Sequence, residues 1–322
     1  MKILVTGGAG FIGSHLVEAL LKRGDEVFAI DNFSTGGRGN IEHLLPDPKF
    51  HLTVESILNE ETVDKLMKEC QQVYHLAAAV GVKLVMERPV ETLETNVRGT
   101  EIILKYANKY QRKVFLTSTS EIYGKHKDHS LKEDDNRVMG SIRKRRWAYA
   151  CSKSMDEFLS LAYYDEYRLP IVIARYFNTV GPRQTGAYGM VVPRFVQSAL
   201  RGEPITVHGR GGQSRCFTYV TDVVQATLAL MDHPKTVGEV FNIGSEEEVT
   251  IKDLAKRIKK MAKSSSPLVF IPYEKVYGKG FEDMERRKPD ITKIKKLIGF
   301  SPTYSLDQTL EMIIEYYRKK LV

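Results

Sequence analysis

The sequence predicts an α/β fold in which a doubly wound parallel sheet is joined to a smaller, discontinuous C-terminal lobe. In the first half of the chain, short apolar runs alternate with helical patterns, as they do in βαβ units. A glycine-rich turn connects the first apolar run to the first helical pattern. After about residue 178, glycine and proline become frequent and the elements shorten, which indicates a differently organised region.

The strands of the sheet are predicted at short apolar runs that are bounded by polar or turn residues. These runs are 2–5, 26–30, 73–76, 113–117 and 171–174. Between them, the spacing of apolar residues predicts helices over 14–22, 60–68, 90–110 and 150–167. The order of these elements predicts that residues 1–178 form one doubly wound domain.

Residues 179–322 are predicted to form mainly the smaller lobe. Apolar periodicity indicates helices there over 192–201, 221–231, 251–263 and 306–321. We expect some strands and helices of this region to return to the main sheet, so that the lobe is built from separate pieces of chain.

Composition limits the classes of protein to consider. The 322 residues are 42% hydrophobic and 27% charged, as in ordinary soluble globular proteins. No apolar run reaches the roughly 18 residues that a membrane helix needs, and Met1 leads into a predicted strand rather than a secretory leader. Cys70, Cys151 and Cys216 lack the spacing of a metal site. We therefore expect a cytoplasmic protein with no membrane segment and no metal.

The formal net charge of +8 raises the question of a nucleic-acid partner. Basic residues are spread along the chain with acidic ones between them, and no DNA- or RNA-binding motif is present. The densest basic run, 143–146, is interpreted as a solvated loop or as a rim that attracts an anionic substrate. The sequence therefore predicts no nucleic-acid partner.

The glycine-rich turn has the features of a dinucleotide site. It reads GGAGFIG over 7–13, and glycine lets the backbone approach a pyrophosphate at a helix N-terminus. Asp31 follows about 20 residues on, where an acidic side chain binds ribose hydroxyls and repels a 2′-phosphate. A purely structural turn is the alternative, but the combination favours a Rossmann-type site for NAD. The predicted cofactor-binding residues are Gly7, Gly10, Phe11, Ile12, Gly13, Asp31 and Asn32.

Tyr149 and Lys153 are the main catalytic candidates. They are four residues apart and therefore share one face of a predicted helix. Tyrosine ordinarily has a pKa near 10, and a neighbouring ammonium and a positive nicotinamide ring would favour the phenolate that acts as a base. A chance surface pair is the alternative. The segment TSTSEIYG over 117–124 argues against it, because it places hydroxyls and an acid where open α/β sheets bind ligands.

Taken together, these motifs resemble the extended short-chain dehydrogenases/reductases of the NAD-dependent epimerase/dehydratase family, which act on nucleotide sugars. The resemblance covers essentially the whole chain. In chain order it rests on the glycine turn, Leu76-Ala77-Ala78, Asn96, the 117–124 segment, the Tyr149–Lys153 pair, Arg175-Tyr176-Phe177-Asn178 and Gly181-Pro182-Arg183. It implies NAD as cofactor, a UDP-sugar substrate, and a homodimer formed through helices near 96–110 and 149–167.

The resemblance also implies roles for single residues. Tyr149 would be the base at the sugar C4 hydroxyl, with Lys153 tuning it and holding the nicotinamide ribose. Thr119 and Ser120 would hydrogen-bond the C4 oxygen, Glu121 would lie near C5 or a uronate carboxylate, and Arg287 would be an electrophile or proton donor. The further implied contacts are Leu76, Ala77, Ala78 and Asn96 to the cofactor, and Asn178, Arg183, Arg215 and Arg287 to the substrate.

Within the family, the sequence favours a decarboxylase. Glu121 stands where 4-epimerases usually carry a small residue, and decarboxylases and 4,6-dehydratases an acid. The stretches 145–149, 277–283 and 285–289 resemble UDP-glucuronate decarboxylases, among them the polymyxin-resistance decarboxylase domain. The loop 79–89 lacks the tyrosines of UDP-xylose synthases, and Lys83 is a candidate to meet a uronate carboxylate there.

The predicted reaction is therefore oxidation of UDP-glucuronate at C4, loss of carbon dioxide from the resulting β-keto acid, and release of the 4-keto pentose or its reduction to UDP-xylose. A 4-epimerase and a 4,6-dehydratase remain alternatives on the same scaffold. A non-catalytic dinucleotide-binding regulator is a more remote one.

Overall fold

The structure, a computed structural model, describes residues 1–126, 129–278 and 281–321. The strands in these residues are β1 (Lys2–Thr6), β2 (Glu26–Ile30), β3 (Phe50–Thr53), β4 (Gln72–His75), β5 (Lys113–Thr119), β6 (Ile171–Tyr176), β7 (Thr179–Val180), β8 (Ile205–His208), β9 (Ser214–Cys216), β10 (Thr218–Tyr219), β11 (Glu239–Ile243), β12 (Glu248–Thr250), β13 (Leu268–Ile271) and β14 (Arg286–Arg287). The helices are α1 (Phe11–Arg23), α2 (Glu60–Glu69), α3 (Val82–Glu87), α4 (Pro89–Tyr110), α5 (Ala148–Tyr167), α6 (Val191–Arg201), α7 (Val220–Asp232), α8 (Ile251–Met261), α9 (Tyr273–Tyr277), α10 (Thr292–Ile298) and α11 (Leu306–Leu321).

The central sheet of the described chain has seven strands in the order β11-β6-β5-β4-β1-β2-β3. Every neighbouring pair is parallel. Helices cover both faces over separate hydrophobic clusters, so the sheet is doubly wound. The predicted fold class is confirmed. Because the strand order reverses between β1 and β4, the carboxyl ends of these strands open a crevice at the switch point, where such sheets bind ligands.

The first strand–turn–helix unit shows why the glycine turn is needed. Gly7 has a φ of 70°, and its N–H donates to the carbonyl of Ile30 at 2.8 Å. A Cβ atom on Gly13 would lie 2.0 Å from the carbonyl oxygen of Gly7, so only glycine lets α1 start this close to β1. The helix ends at Arg23, and Gly24, with a φ of 97°, caps its last turn.

The smaller lobe has its own hydrophobic cluster, formed largely by α6, α8 and α11. Beside it, β8 pairs with β13, and β9 lies between β12 and β14. Strand β11 leaves this region and pairs with β6 in the main sheet, while α7 packs against α1. The C-terminal half of the chain therefore contributes both to the lobe and to the sheet domain.

Among the described residues, no helix combines the length and the apolar character that crossing a bilayer would require.

Candidate active site

The acidic residue at the end of β2 holds the glycine turn. The Asp31 carboxylate accepts hydrogen bonds from the backbone N–H of Ala9 at 2.9 Å and of Phe33 at 2.8 Å. Burial raises the pKa of Asp31, and these N–H groups oppose that rise. The carboxylate is thus fixed at the rim of the cleft that runs along the carboxyl ends of the strands.

Most of the predicted cofactor-binding residues line this cleft. They are Gly7, Gly10, Phe11, Ile12, Gly13, Asp31, Asn32, Leu76, Ala77, Ala78, Tyr149 and Lys153. A Cβ on Gly7 would lie 2.9 Å from the backbone nitrogen of Ala77. The buried hydroxyl of Ser120 faces the same cleft without a hydrogen-bond partner among the described residues. A narrow glycine cradle and an unsatisfied polar atom fit a bound dinucleotide and its substrate.

Asn96 does not line the cleft. Its side chain is 1% exposed, and its amide exchanges hydrogen bonds with the backbone of Ala79 at 2.8 and 3.3 Å and donates to Ser152 at 3.1 Å. It therefore ties the segment after β4 to α5. Any contribution of Asn96 to cofactor binding, as the resemblance implied, would be through the position of that segment.

Tyr149 and Lys153 lie on the first turns of α5 and both face the cleft. The Tyr149 hydroxyl hydrogen-bonds to Thr119 at the end of β5. Burial raises the pKa of Tyr149, and the carboxylates of Glu121 and Asp156 add to this. The Lys153 ammonium, which the sequence predicts to favour the phenolate together with a nicotinamide ring, is paired with Asp156 at 2.7 Å.

Glu121 lies between two guanidinium groups beside Tyr149. One carboxylate oxygen accepts a hydrogen bond from Arg146, and the other accepts from Arg287 at 3.3 Å. Burial alone would raise the pKa of Glu121, but the positive charges of Arg146 and Arg287 outweigh it and hold the pKa at about 2. The Arg287 guanidinium also donates to Asn178 at 2.9 Å.

Arg287 is itself in an unusual setting. Burial and the nearby Arg215 lower its pKa to about 10, against the opposing effect of Glu121. Its Nε atom has no hydrogen-bond partner among the described residues although it is buried. Glu121 and Arg287, to which the resemblance gave separate roles in the site, thus lie together, and the Nε–H of Arg287 is available to a ligand.

A second cavity continues from the cofactor cleft into the smaller lobe. The two share the site residues Glu121, Tyr149, Asn178 and Arg287, so they form one continuous site. The outer wall of the cavity is aromatic, where Tyr277 stacks on Phe281 at 4.3 Å between ring centroids. Lys279 and Gly280, part of the decarboxylase-like stretch 277–283, lie outside the described residues.

Arg146 and Asp283 are site residues to which sequence reasoning gave no role. Asp283 accepts hydrogen bonds from Arg215 and from the Tyr273 hydroxyl, both at 3.1 Å, and lies 3.8 Å from Arg146. Arg146 lies in the single turn that leads into α5, three residues before Tyr149, and this spacing was a signal that could have identified it. Asp283 carried no such local signal.

Two predicted substrate residues lie away from the cavity. Lys83 is exposed on α3 and faces Glu87 at 3.9 Å, so the structure gives no support to a contact with a uronate. Arg183 donates to Ser14 at 3.2 Å and to Glu18 at 2.7 Å. It fastens the loop after β7 to α1 rather than facing the cavity.

The fold and this site define a dinucleotide-binding enzyme of the Rossmann type with a Tyr-Lys pair and a second cavity for substrate. Residues 4–313 match the model of the GDP-mannose 4,6 dehydratase family. The chain belongs to this NAD-dependent epimerase/dehydratase family of extended short-chain dehydrogenases/reductases, which confirms the resemblance predicted from the sequence.

Two proteins are similar to this chain over nearly its whole length. It is 46% identical over 319 residues to the UDP-N-acetyl-alpha-D-glucosaminuronate decarboxylase of Bacillus cytotoxicus, covering 99% of this chain and 98% of that protein. It is 38% identical to UDP-glucuronic acid decarboxylase 1 of Xenopus tropicalis, covering 99% of this chain and 73% of that protein.

A solved structure is also similar along its full length. The UDP-glucuronic acid 4-epimerase of Bacillus cereus, in complex with UDP-glucuronic acid and NAD, superposes with a TM-score of 0.90. It is 34% identical, and the match covers 99% of this chain and 100% of that one.

Proposed function

We propose that this protein is an NAD-dependent decarboxylase of a UDP-linked uronic acid. The observation that carries the proposal is the cluster of Glu121, Arg146 and Arg287 beside Tyr149. Guanidinium groups bind carboxylates through paired hydrogen bonds. The cluster therefore offers a place for the C6 carboxylate next to the base that acts at C4.

The cofactor is NAD, held by the glycine turn with Asp31 at its adenosine ribose. When bound, it supplies a hydride acceptor at the sugar C4 and can later return the hydride. Asp31 favours NAD because its carboxylate, fixed by the N–H groups of Ala9 and Phe33, would repel a 2′-phosphate. The smaller lobe is the part that takes the nucleotide end of the substrate, with Arg215 and Asn178 facing its diphosphate.

The side chains around C4 accept the proton of its hydroxyl and stabilise the negative charge that develops on its oxygen. Tyr149 takes the proton from the C4 hydroxyl as that carbon is oxidised, while Thr119 orients the phenol. The free hydroxyl of Ser120 donates to the C4 oxygen. Hydrogen bonds at this oxygen stabilise the enolate that remains when carbon dioxide leaves the β-keto acid. Arg287, whose pKa is lowered to about 10, provides positive charge on the same side.

The substituent at C2 of the sugar defines two candidate substrates. UDP-glucuronate carries a hydroxyl there, and its decarboxylases are relatives at 37–38% identity. UDP-N-acetylglucosaminuronate carries an acetamido group, and the decarboxylase of Bacillus cytotoxicus named for it is 46% identical. The higher identity is the reason to test the acetamido sugar beside UDP-glucuronate.

The deciding experiment is incubation of the purified protein with each substrate, with and without added NAD, followed by mass analysis of the nucleotide sugar. Loss of the mass of carbon dioxide is the expected result for at least one of them. A further gain of two hydrogens would show that the keto product is reduced before release. If neither substrate changes in mass, the decarboxylase proposal is contradicted.

A 4-epimerase is the second candidate. The similarity to the UDP-glucuronic acid 4-epimerase of Bacillus cereus favours it, since that enzyme acts on the same uronate without losing carbon dioxide. An unchanged mass with a new retention time would identify epimerisation. The ionised Glu121 between two arginines is the feature that argues for decarboxylation instead.

We further propose that the protein is a cytoplasmic homodimer. Cys70, Cys151 and Cys216 are unpaired thiols, which suits a reducing compartment. Exposed apolar side chains cluster on α4 and α5, and a second copy of these helices would cover them. They are Val90, Leu93, Met155 and Phe158, with exposures of 66%, 38%, 53% and 61%.

Phe158→Glu is expected to convert the dimer to a monomer, because a charge would replace the largest exposed apolar side chain of this face. Light scattering coupled to size exclusion measures the mass directly. Ile142→Glu is the matched control, since Ile142 is 99% exposed in the loop before α5 and is not part of either helix. A monomeric wild type, or a variant that stays dimeric, would contradict the assignment.

A further inference from the structure

A chain of buried polar side chains runs beneath the cofactor cleft and ends at the catalytic lysine. Thr6 Oγ1 lies 2.8 Å from His75 Nδ1, and His75 Nε2 lies 3.1 Å from Thr100 Oγ1. The Thr100 side chain acts on Asp156 and lowers its pKa. Asp156 Oδ2 lies 2.7 Å from Lys153 Nζ, and its buried Oδ1 has no hydrogen-bond partner among the described residues. Of these residues, Thr6, His75, Thr100 and Asp156 are each at most 1% exposed.

The direction of each hydrogen bond in this chain can be assigned. Thr6 Oγ1 already accepts from the backbone N–H of Leu76 and Ala77, so its own hydrogen points to His75 Nδ1. Burial lowers the pKa of His75 to about 3, with the Lys153 charge adding to this. The neutral ring therefore carries its hydrogen on Nε2 and donates to Thr100.

Because Thr100 Oγ1 accepts from His75, its own hydrogen is available to Asp156. Lys153 donates to Asp156 Oδ2 at 2.7 Å, and both Lys153 and Thr100 lower the pKa of the acid. An arrangement in which both partners are donors favours the ionised acid. Burial and the nearby Glu157 act in the other direction and raise the pKa of Asp156.

The other titratable groups around the Lys153–Asp156 pair are either paired with opposite charges or neutral. Glu157 accepts from Arg175 at 2.9 and 2.7 Å and from Arg137 at 2.7 Å. His75, which faces Lys153 from β4, is neutral. The carboxylate of Asp156 is therefore the charge that directly offsets the Lys153 ammonium.

Around Tyr149 the charges also act in both directions. Glu121 raises the pKa of the phenol and Arg146 lowers it, and the Glu121 carboxylate is paired with both Arg146 and Arg287. With Lys153 offset by Asp156, burial and the two carboxylates keep the phenol protonated in the protein alone. A cationic nicotinamide ring would change this balance when it lies against the phenol.

We propose that Asp156 is a positioning residue for Lys153, which it fixes by an ion pair and whose charge it offsets, so that Tyr149 stays protonated until oxidised NAD is bound. This inference rests on the proposed role of Tyr149 as the base. It makes formation of the phenolate depend on the oxidised cofactor, because Lys153 alone is not sufficient.

The test is the Asp156→Asn substitution, which keeps the shape of the side chain and removes its charge. The unopposed Lys153 ammonium should lower the pKa of the phenol, so the acid limb of the kcat/KM profile should move to lower pH by about one unit. Asp156→Glu keeps the charge and should leave the limb near its wild-type position. Asp165→Asn, an exposed acid on the same helix, is the control for the substitution itself.

A second measurement does not depend on turnover. The near-ultraviolet titration of the cofactor-free protein, minus that of the same protein carrying Tyr149→Phe, isolates the ionisation of this one phenol. It should move to lower pH in Asp156→Asn, by the same amount as the kinetic limb. If Asp156→Asn does not fold, Asp156→Ser gives the same comparison.

An unmoved titration, or one that moves to higher pH, would overturn the inference. These outcomes are separate from failure of the proposed function, which would appear as an unchanged mass of both nucleotide sugars, and from failure of the role of Tyr149 as the base, which would appear as turnover retained in Tyr149→Phe.

Discussion

Tyr149→Phe is expected to lower turnover by about 10²- to 10⁴-fold, the range that a positioned general base contributes. The phenol lines both the cofactor cleft and the substrate cavity, and it lies beside Thr119 at the end of β5. Phenylalanine keeps the ring and removes only the oxygen that accepts the C4 proton. The measurement is the rate at which the decarboxylated nucleotide sugar forms, followed by mass.

The control is Tyr167→Phe, which removes a hydroxyl from the exposed end of the same helix. It should leave turnover unchanged. NAD binding by Tyr149→Phe should also persist, because the glycine turn and Asp31 are untouched. Turnover close to that of the wild type would show that another group takes the C4 proton, and the assignment of the base would be wrong.

Local patterns were sufficient for most of the sheet domain. Strand β2 and helix α11 begin and end as predicted. Strands β5 and β6 run two residues further than predicted, into the polar ends that carry Thr119 and Tyr176. Apolar content predicts the buried part of a strand, but backbone pairing with the neighbouring strand extends it.

The two outer strands were missed for different reasons. Strand β3 reads FHLT and is only partly buried at the edge of the sheet, so its apolar signal is weak. Strand β11 belongs to the half of the chain that mostly builds the smaller lobe. Its return to β6 is a tertiary pairing across a sequence separation that no local pattern encodes.

The site could be predicted where it depends on local spacing. The glycine turn and the Tyr149–Lys153 pair are of this kind, and both line the cleft. The ion pairs that set the charges of the site do not depend on local spacing, since Arg215 and Asp283 are 68 residues apart. For the same reason, sequence alone could not tell that Arg183 pairs with Glu18, which is 165 residues away. The Lys83–Glu87 pair, in contrast, has the local i,i+4 spacing of a helix.

Glu121→Gln is expected to slow decarboxylation by about 10²-fold or more, since small displacements of positioning groups have effects of this size. With a pKa of about 2, Glu121 is a carboxylate throughout the working range and cannot be a proton donor near neutral pH. Its contribution is to hold Arg146 and Arg287 where they face the substrate. Glutamine has nearly the same shape, but it leaves these two buried cations without their counter-charge.

The same substitution should also lower the free energy of unfolding, by about 3 kcal/mol at neutral pH, because it removes one partner of a buried ion pair. The folded-state pKa of Glu121 lies below its usual value of 4.5. The stabilising contribution is therefore complete above that value and is lost as the pH falls toward about 2. The difference between variant and wild type in denaturant unfolding should accordingly narrow below pH 4.5.

Glu61→Gln separates these effects from a general loss of a surface charge. Glu61 pairs with Lys65 on an exposed face of α2, so its variant should match the wild type in turnover and in unfolding. If Glu121→Gln lowers stability but leaves the rate of carbon dioxide loss unchanged, the two arginines serve the fold rather than the substrate. The carboxylate would then bind elsewhere, and the cluster beside Tyr149 would no longer distinguish a decarboxylase from a 4-epimerase.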